Sequence, residues 1–399
     1  MNLSGLENFD EIWLVDFEFR PQGGVEGSVP EGVCLVAHEL RSGRTVRQFK
    51  DELDLAPPYR IDEQSLFVAY FASAEIGCHL ALGWSVPKRI LDLYCEFRNM
   101  RNGLGGGRGL LNALIAHGID HIDAVEKTEM RDLVLRGGPW TEKECHDILD
   151  YCDSDVRALE KLLPAMLPGI DLPRALYRGR YMAAVARMEH NGVPIDRDAL
   201  DRFEAARDAI VDELIAETDR AYGVYEGRTF KLERFRAYLQ REAIPWPHDA
   251  NGRPILDKDT FHRMEREYPQ VRELAQLRSF LGENRAKGLP VGLDGRNRTL
   301  VSPFASSTGR NQPSTTNAIF GRSAWCRSFI KPAQGHGVAY IDWGQQEVGI
   351  AAALSGDPSL KTAYESGDPY LAFGKQAGKI PEDGTKVTHK AERDLSLIH

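Results

Sequence analysis

The sequence predicts an α/β domain at its N-terminal end, a mainly helical middle, and a short α+β segment at its C-terminal end. Three observations carry this. Residues 12–19 (IWLVDFEF) are a nearly continuous apolar run, with two more strand-like stretches close behind. Strands then alternate with helical patterns as far as a group of prolines, Pro164, Pro168 and Pro173. Beyond those prolines helical periodicity dominates, until a stretch rich in Gly, Ser, Asn, Pro and Arg over 290–332.

The elements follow in order. Residues 12–19 read as a mostly buried strand. VCLVAHEL (33–40) and TVRQFK (45–50) come next, separated by the hairpin turn RSGR. LFVAYFA (66–72) is a fourth strand leading into a short helix near 73–82, and RILDL (89–93) is a candidate fifth. Helices are predicted around 109–117, 123–135 and 142–163. The last opens on Thr141-Glu142-Lys143-Glu144, a capping-box pattern. YRGRYMAAVARMEHNG (177–192) is a helix stopped by Asn-Gly. Residues 198–222 form a long amphipathic helix and 256–285 carry further helical pattern. VAYIDW (338–343) reads as a short apolar strand ending in Asp, and QQEVGIAAALSG (345–356) as a helix.

Composition narrows the function classes. The 399 residues are 42% hydrophobic and 27% charged, an ordinary globular balance that suits two or three domains and excludes wholesale disorder. No apolar run approaches the ~20 residues that span a bilayer. The N-terminal residues lack a basic and apolar leader, so the expected location is the cytoplasm. Six cysteines without a CxxC pair argue against a zinc site or a disulfide framework. Net charge is −9, yet eight basic residues and the single acid Asp294 lie between Arg285 and Lys331. That stretch carries +7 and leaves −16 for the rest, a local footprint for a polyanion.

Asp16 and Glu18 are two apart on the first strand, so both carboxylates project from one face. Flanked by Val15, Phe17 and Phe19, they repel each other in apolar surroundings, a cost that a divalent cation relieves. Tyr151 and Asp155 lie four apart on the helix from 142 and share a face. A tyrosine beside a metal-bound carboxylate can orient a water for attack.

Asp-x-Glu on a first strand, with Tyr-x-x-x-Asp on a late helix, resembles the proofreading 3′–5′ exonuclease domain of DNA polymerases, of the DEDD type with tyrosine. The resemblance implies a ribonuclease H-like fold. It also implies two Mg²⁺ or Mn²⁺ ions held by four carboxylates: Asp16, Glu18, Asp155 and one between them. In the family that member follows the fourth strand as Asn-x-x-x-Asp; here the segment is Phe71-Ala72-Ser73-Ala74-Glu75. Glu75 takes the Asp position, with Asp92 as the alternative.

The C-terminal third carries a second order of motifs. Ser307-Thr308-Gly309-Arg310 precedes Asn311-Gln312-Pro313. Then come Asp342-Trp343-Gly344-Gln345-Gln346-Glu347 and Leu354-Ser355-Gly356-Asp357. This order resembles family A DNA polymerases, those related to bacterial polymerase I; Trp343 and Gly344 stand where the family has Tyr and Ser. The IDWGQQE form is similar to the phage or prophage subgroup. The resemblance implies an exonuclease domain over 1–170, a helical linker and thumb over 171–290, and a palm with the start of the fingers over 291–399. Asp342 becomes a catalytic metal ligand, with two ions in this site also. Arg310 becomes a primer–template contact, Glu347 lies against the sugar of the incoming nucleotide and excludes a 2′-hydroxyl, and Asn317, Gln345 and Arg393 become nucleotide- or DNA-binding residues. The partners implied are primer–template DNA, single-stranded 3′ ends and dNTPs, with the protein a monomer in a bacterial or phage-infected cell.

Two departures stand out. Four residues beyond Arg393 the family has Lys and this sequence has Leu397, and no second palm carboxylate follows. The last five residues, LSLIH, are what one frame of a sequencing-library transposon end encodes, so the natural chain is expected to continue after Asp394. Two rival readings keep their place: a stand-alone 3′–5′ exonuclease, and a non-catalytic DNA-binding protein with a decayed exonuclease site.

Overall fold

The run IWLVDF becomes the centre of a five-stranded sheet. A computed structural model of the protein describes residues 3–53, 56–119, 124–283 and 288–395. Strand β1 (Glu11–Pro21) pairs antiparallel with β2 (Pro30–Glu39), which pairs antiparallel with β3 (Thr45–Phe49). On its other side β1 pairs parallel with β4 (Ser65–Ala69), and β4 pairs parallel with β5 (Ile90–Asp92). The order β3-β2-β1-β4-β5 puts the first strand in the middle. The chain between the parallel neighbours β1 and β4 runs through β2 and β3, and the one between β4 and β5 through the helix Ala72–Ala81.

Alternation along β1 sorts its side chains onto two cores. Ile12 and Leu14 join a core that includes Ile148, Cys152, Val156 and Leu159 of α5 (Glu142–Met166). Trp13, Val15 and Phe17 join the other, with Ile76 of α1 (Ala72–Ala81). Between these helices run α2 (Leu93–Met100), α3 (Leu110–Ala116) and α4 (Ala124–Arg136). The predicted capping box is present at α5: Thr141 Oγ1 accepts from the Glu144 N–H, and the Thr141 N–H donates to the Glu144 carboxylate at 2.8 Å.

Helix α6 (Leu172–Asn191) starts five residues before the predicted 177 and ends at Gly192, in the left-handed region, as the Asn-Gly signal implies. It packs into the second core through Met182 and Ala186. The approach depends on Gly179, where a Cβ would stand 2.0 Å from the Ile90 carbonyl oxygen. A bidentate pair, Arg178 to Glu96 at 2.6 Å on both arms, ties α6 to α2.

The chain continues as short β6 (Val193–Pro194) and then α7 (Arg197–Tyr222), 26 residues capped by Asp196. A hairpin of β7 (Tyr225–Glu226) and β8 (Thr229–Phe230) leads to α8 (Leu232–Arg241), α9 (Lys258–Glu267) and α10 (Arg272–Glu283). Phe235, Trp246 and Phe261 centre the core of this region. Strand β9 (Arg296–Asn297) returns to pair with β6. The hairpin and α8 had no counterpart in the sequence reading.

Residues 334–399 form a separate compact unit. It contains α11 (Gln346–Ser355), α12 (Pro358–Glu365), α13 (Pro369–Gln376) and α14 (Lys390–Leu395). The expected strand VAYIDW is not formed. Residues 338–343 are irregular, with Tyr340 and Ile341 each 84% exposed. A strand exists only where a neighbour takes its ladder hydrogen bonds, and no described residue pairs with these.

The α6 contact gives a direct test. Gly179→Ala drives a methyl into the Ile90 carbonyl and should destabilise the protein by roughly 1–3 kcal/mol, read as a lower denaturation midpoint. An unchanged midpoint would reject this packing.

Candidate active site

At its C-terminal end the α5-facing side of β1 changes from apolar to acidic. Asp16 and Glu18 continue the register of Ile12 and Leu14, so they look toward α5, where Asp155 and Tyr151 sit one turn apart. One ligand oxygen from each of Asp16, Glu18 and Asp155 lies within 4.8 Å of the others. The β1–β2 register shifts between Glu18 and Phe19, a bulge that re-aims the strand beside the cluster. Cys152 Sγ donates to the Asp16 carbonyl and carboxylate oxygens at 3.3 Å each.

The electrostatics are those of crowded, desolvated acids. Burial first, and the Asp155 charge second, push the Asp16 carboxyl up to about 8. Burial and then Asp16 hold Glu18 well above the usual carboxylate range. Burial also raises Asp155, opposed by Lys127. The Tyr151 phenol is pushed up by burial and then by Asp155, so the hydroxyl keeps its proton.

The two candidates for the remaining carboxylate sit in different surroundings. Asp92 is the N-cap of α2: it accepts from Cys95 N at 3.1 Å, and from Phe71 N and Ala72 N at 3.3 and 2.8 Å. It staples the starts of α1 and α2. Glu75 is 3% exposed, and its Oε2 has no hydrogen-bond partner. Burial, then Asp16 and Glu18, raise its carboxyl well above the usual range. It stands outside the 4.8 Å trio yet feels the same charges. Phe71, where the family has Asn, takes a left-handed φ of 78° and sets its ring edge-on to Tyr94 at 4.8 Å.

Lys127 was missed by the sequence reading. Its Nζ sits 2.6 and 2.9 Å from the two Asp155 oxygens and 5.7 Å from the Tyr151 ring centre. A lysine 28 residues before its partner leaves no spacing signal. Its ammonium provides part of the positive charge the acids require. An all-oxygen donor set, an orphaned buried carboxylate oxygen and an internal counter-cation fit a hard divalent ion such as Mg²⁺ or Mn²⁺.

The C-terminal candidates belong to the segment after α10 and to the second unit. Arg310 is exposed at the tip of a loop. Asn317 is half-buried in a turn: its N–H donates to Ser314 Oγ and its carbonyl accepts from Asn297. Of the basic stretch, Arg298 pairs with Asp294 at 2.6 Å and Lys331 with Asp196 at 2.9 Å, so part of its charge is neutralised; Arg285 and Lys287 lie outside the described residues. In the second unit Asp342 is exposed, Gln345 caps α11 with a φ of 45°, and Glu347 is exposed in the first turn. Arg393 is bound to Asp368 at 2.7 Å and stacked near Tyr370. Asp342 is in no group of three metal-ligating side chains among the described residues.

The acid cluster sets a pH dependence. Folded pKa values above the unfolded ones mean the folded state holds more protons between about pH 4 and about pH 8, so without divalent ions stability should fall as pH rises through that window. Excess Mn²⁺ should flatten the fall. Lys127→Ala, which leaves Asp155 unpaired, should cost on the order of 3 kcal/mol in EDTA and show a larger Mn²⁺-induced rise in Tm than wild type. A Tm insensitive to Mn²⁺ in both proteins would reject the metal assignment.

No protein-family profile matches the sequence, and no curated protein matches it. Among solved structures the chain is similar to the POL domain of Pol1 from M. smegmatis in complex with DNA primer-template and dNTP. That match has a TM-score of 0.58 and 18% sequence identity, over 98% of this chain and 67% of the other. The likeness is one of fold: the chain has a DNA polymerase-like architecture.

Proposed function

We propose that the chain is a DNA polymerase of the family A type, of the phage or prophage subgroup, with a 3′–5′ proofreading exonuclease at residues 1–170. The observation that carries the exonuclease reading is the convergence of Asp16, Glu18 and Asp155 within 4.8 Å, beside the orphaned oxygen of Glu75. The sheet order, with Asp16 and Glu18 on its central strand and Asp155 on a helix packed against it, suits a ribonuclease H-like nuclease. The fold likeness to a polymerase domain, whose solved complex holds primer-template and dNTP, supports the polymerase reading.

Asp16, Glu18, Glu75 and Asp155 would hold the ions. When bound, divalent cations supply Lewis-acid stabilisation of phosphodiester charge and lower the pKa of an attacking water. The Tyr151 hydroxyl, protonated and one turn from Asp155, is placed to orient that water. Lys127 shares Asp155 and must give way when a cation binds there. In the polymerase half, Asp342 would hold metal, Glu347 would screen the sugar, and Gln345 and Arg393 would meet the nucleotide. Arg393 would first have to leave Asp368.

The chain should shorten single-stranded DNA from its 3′ end in Mg²⁺ or Mn²⁺. Asp16→Ala and Glu75→Gln should each lose at least about a hundredfold in rate, with Tm in EDTA at neutral pH unchanged or higher, because the cost of burying an acid whose pKa is raised on folding is removed. Asp92→Asn should do the reverse, lowering Tm while the folded protein still digests. Full digestion by Asp16→Ala would sink the assignment. No metal-dependent digestion by wild type would favour the decayed-site reading, for which Lys127 on Asp155 is the relevant observation.

The 399-residue chain should not extend a primer. Two-metal nucleotidyl transfer needs carboxylates that converge, and Asp342 joins none among the described residues. Template-directed dNTP incorporation by the purified chain would overturn this assignment of roles.

A further inference from the structure

The loop that carries Thr308, Gly309 and Arg310 is not shaped by its own sequence neighbours. Its base is closed by Gln312 N donating to Ser302 O at 3.1 Å. Within it, Ser302 and Phe304 take left-handed φ values of 50° and 56°, a conformation that non-glycine residues keep only when their surroundings impose it. Those surroundings come from α2, the turn that follows it, and α6. Arg98 of α2 donates from Nε to Phe304 O at 3.1 Å and from its second terminal nitrogen to Ala305 O at 2.8 Å. One turn on, Asn102 Nδ2 donates to Ser307 O at 2.9 Å. The Tyr181 hydroxyl of α6 exchanges hydrogen bonds with the Asn311 amide at 2.7 and 3.0 Å, and its ring packs against Phe304 with centroids 5.4 Å apart.

The clamp is rigid at both ends. Arg98 is itself fixed by the Tyr94 hydroxyl, 3.0 Å from its other terminal nitrogen. Tyr181 lies on the helix that Gly179 and the Arg178–Glu96 pair lock to the sheet. At the tip, Arg310 N donates to Ser306 Oγ at 2.7 Å and Arg310 O accepts from Ser306 N at 3.1 Å, with Gly309 supplying the left-handed corner at φ 76°. Two strained residues, three carbonyl contacts and one aromatic contact together fix the loop whose exposed tip carries Arg310.

We propose that Arg98, with Asn102 and Tyr181, is a positioning residue for duplex DNA: α2, the turn that follows it, and α6 set the loop that places Arg310 on the primer–template backbone. Duplex binding is thereby tied to the integrity of the first domain. The inference rests on the reading of Arg310 as a phosphate contact.

The test is a double-variant cycle on the full chain, read by anisotropy of a fluorescein-labelled primer–template hairpin over a salt series. Arg310→Ala should weaken binding about tenfold and lower the salt slope by about one. Arg98→Ala should give a similar loss and a similar drop in slope. The double variant should be no weaker than Arg310→Ala alone, because both changes remove one contact. Arg98→Lys, able to reach one carbonyl, should recover part of the loss. Tyr181→Phe, a milder change that keeps the ring, should weaken binding less. If Arg310→Ala binds like wild type, the DNA reading of the loop fails and this inference with it. If Arg310→Ala weakens binding while Arg98→Ala and Tyr181→Phe do not, only the positioning role fails. Losses that simply add would show Arg98 touching DNA itself, and would equally reject the role.

Discussion

Like charges in a poorly solvated place repel strongly, and a protein that gathers them must answer that repulsion. Here the repulsion is concentrated at the end of β1, where Asp16 and Glu18 meet Asp155 and Glu75 lies close by. The local answers are carboxyl pKa values raised by burial and like charge, a thiol donating to Asp16, and an ammonium on Asp155. Each is incomplete, since Glu75 still keeps an oxygen without a partner. A site built this way is poised for cations. Much of the surrounding structure follows from it: the bulge beside Glu18, the staple at Asp92 that fixes the helix carrying Glu75, and the strained Phe71 at that helix's start.

The rest of the first domain gives that cluster a stiff frame. A strand with apolar side chains on both faces needs a layer on each side, and α5 supplies one while α1 and α6 supply the other. Because α5 contributes both packing residues and Asp155, burying Ile148, Val156 and Leu159 also delivers the carboxylate. Site geometry and fold stability are therefore consequences of one alternation of side chains.

How much of this was legible depended on whether the signal was local. The two-residue spacing of Asp16 and Glu18 and the four-residue spacing of Tyr151 and Asp155 are read directly, because strand and helix periods fix which side chains share a face. The capping box at Thr141 fixed the start of α5 in the same way. The choice between Glu75 and Asp92 could not be made from spacing, since it turns on which backbone N–H groups Asp92 meets. Lys127 was invisible for a like reason. VAYIDW has the composition of a strand and no partner among the described residues, so apolar character alone misled. Arg393 lies on α14, and its pairing with Asp368 is tertiary.

The seating of α6 has a consequence for how such chains can be recombined. The prolines at 164–173 look like a seam, and in sequence they are one. In three dimensions α6 crosses that seam and fills the face of the sheet around Ile90 and Trp13, with Met182 and Ala186 in the core. A module cut at the seam would leave that face bare and sticky. The portable unit runs on through Asn191, so a graft between relatives that respects the packing would exchange the helix together with the sheet it covers.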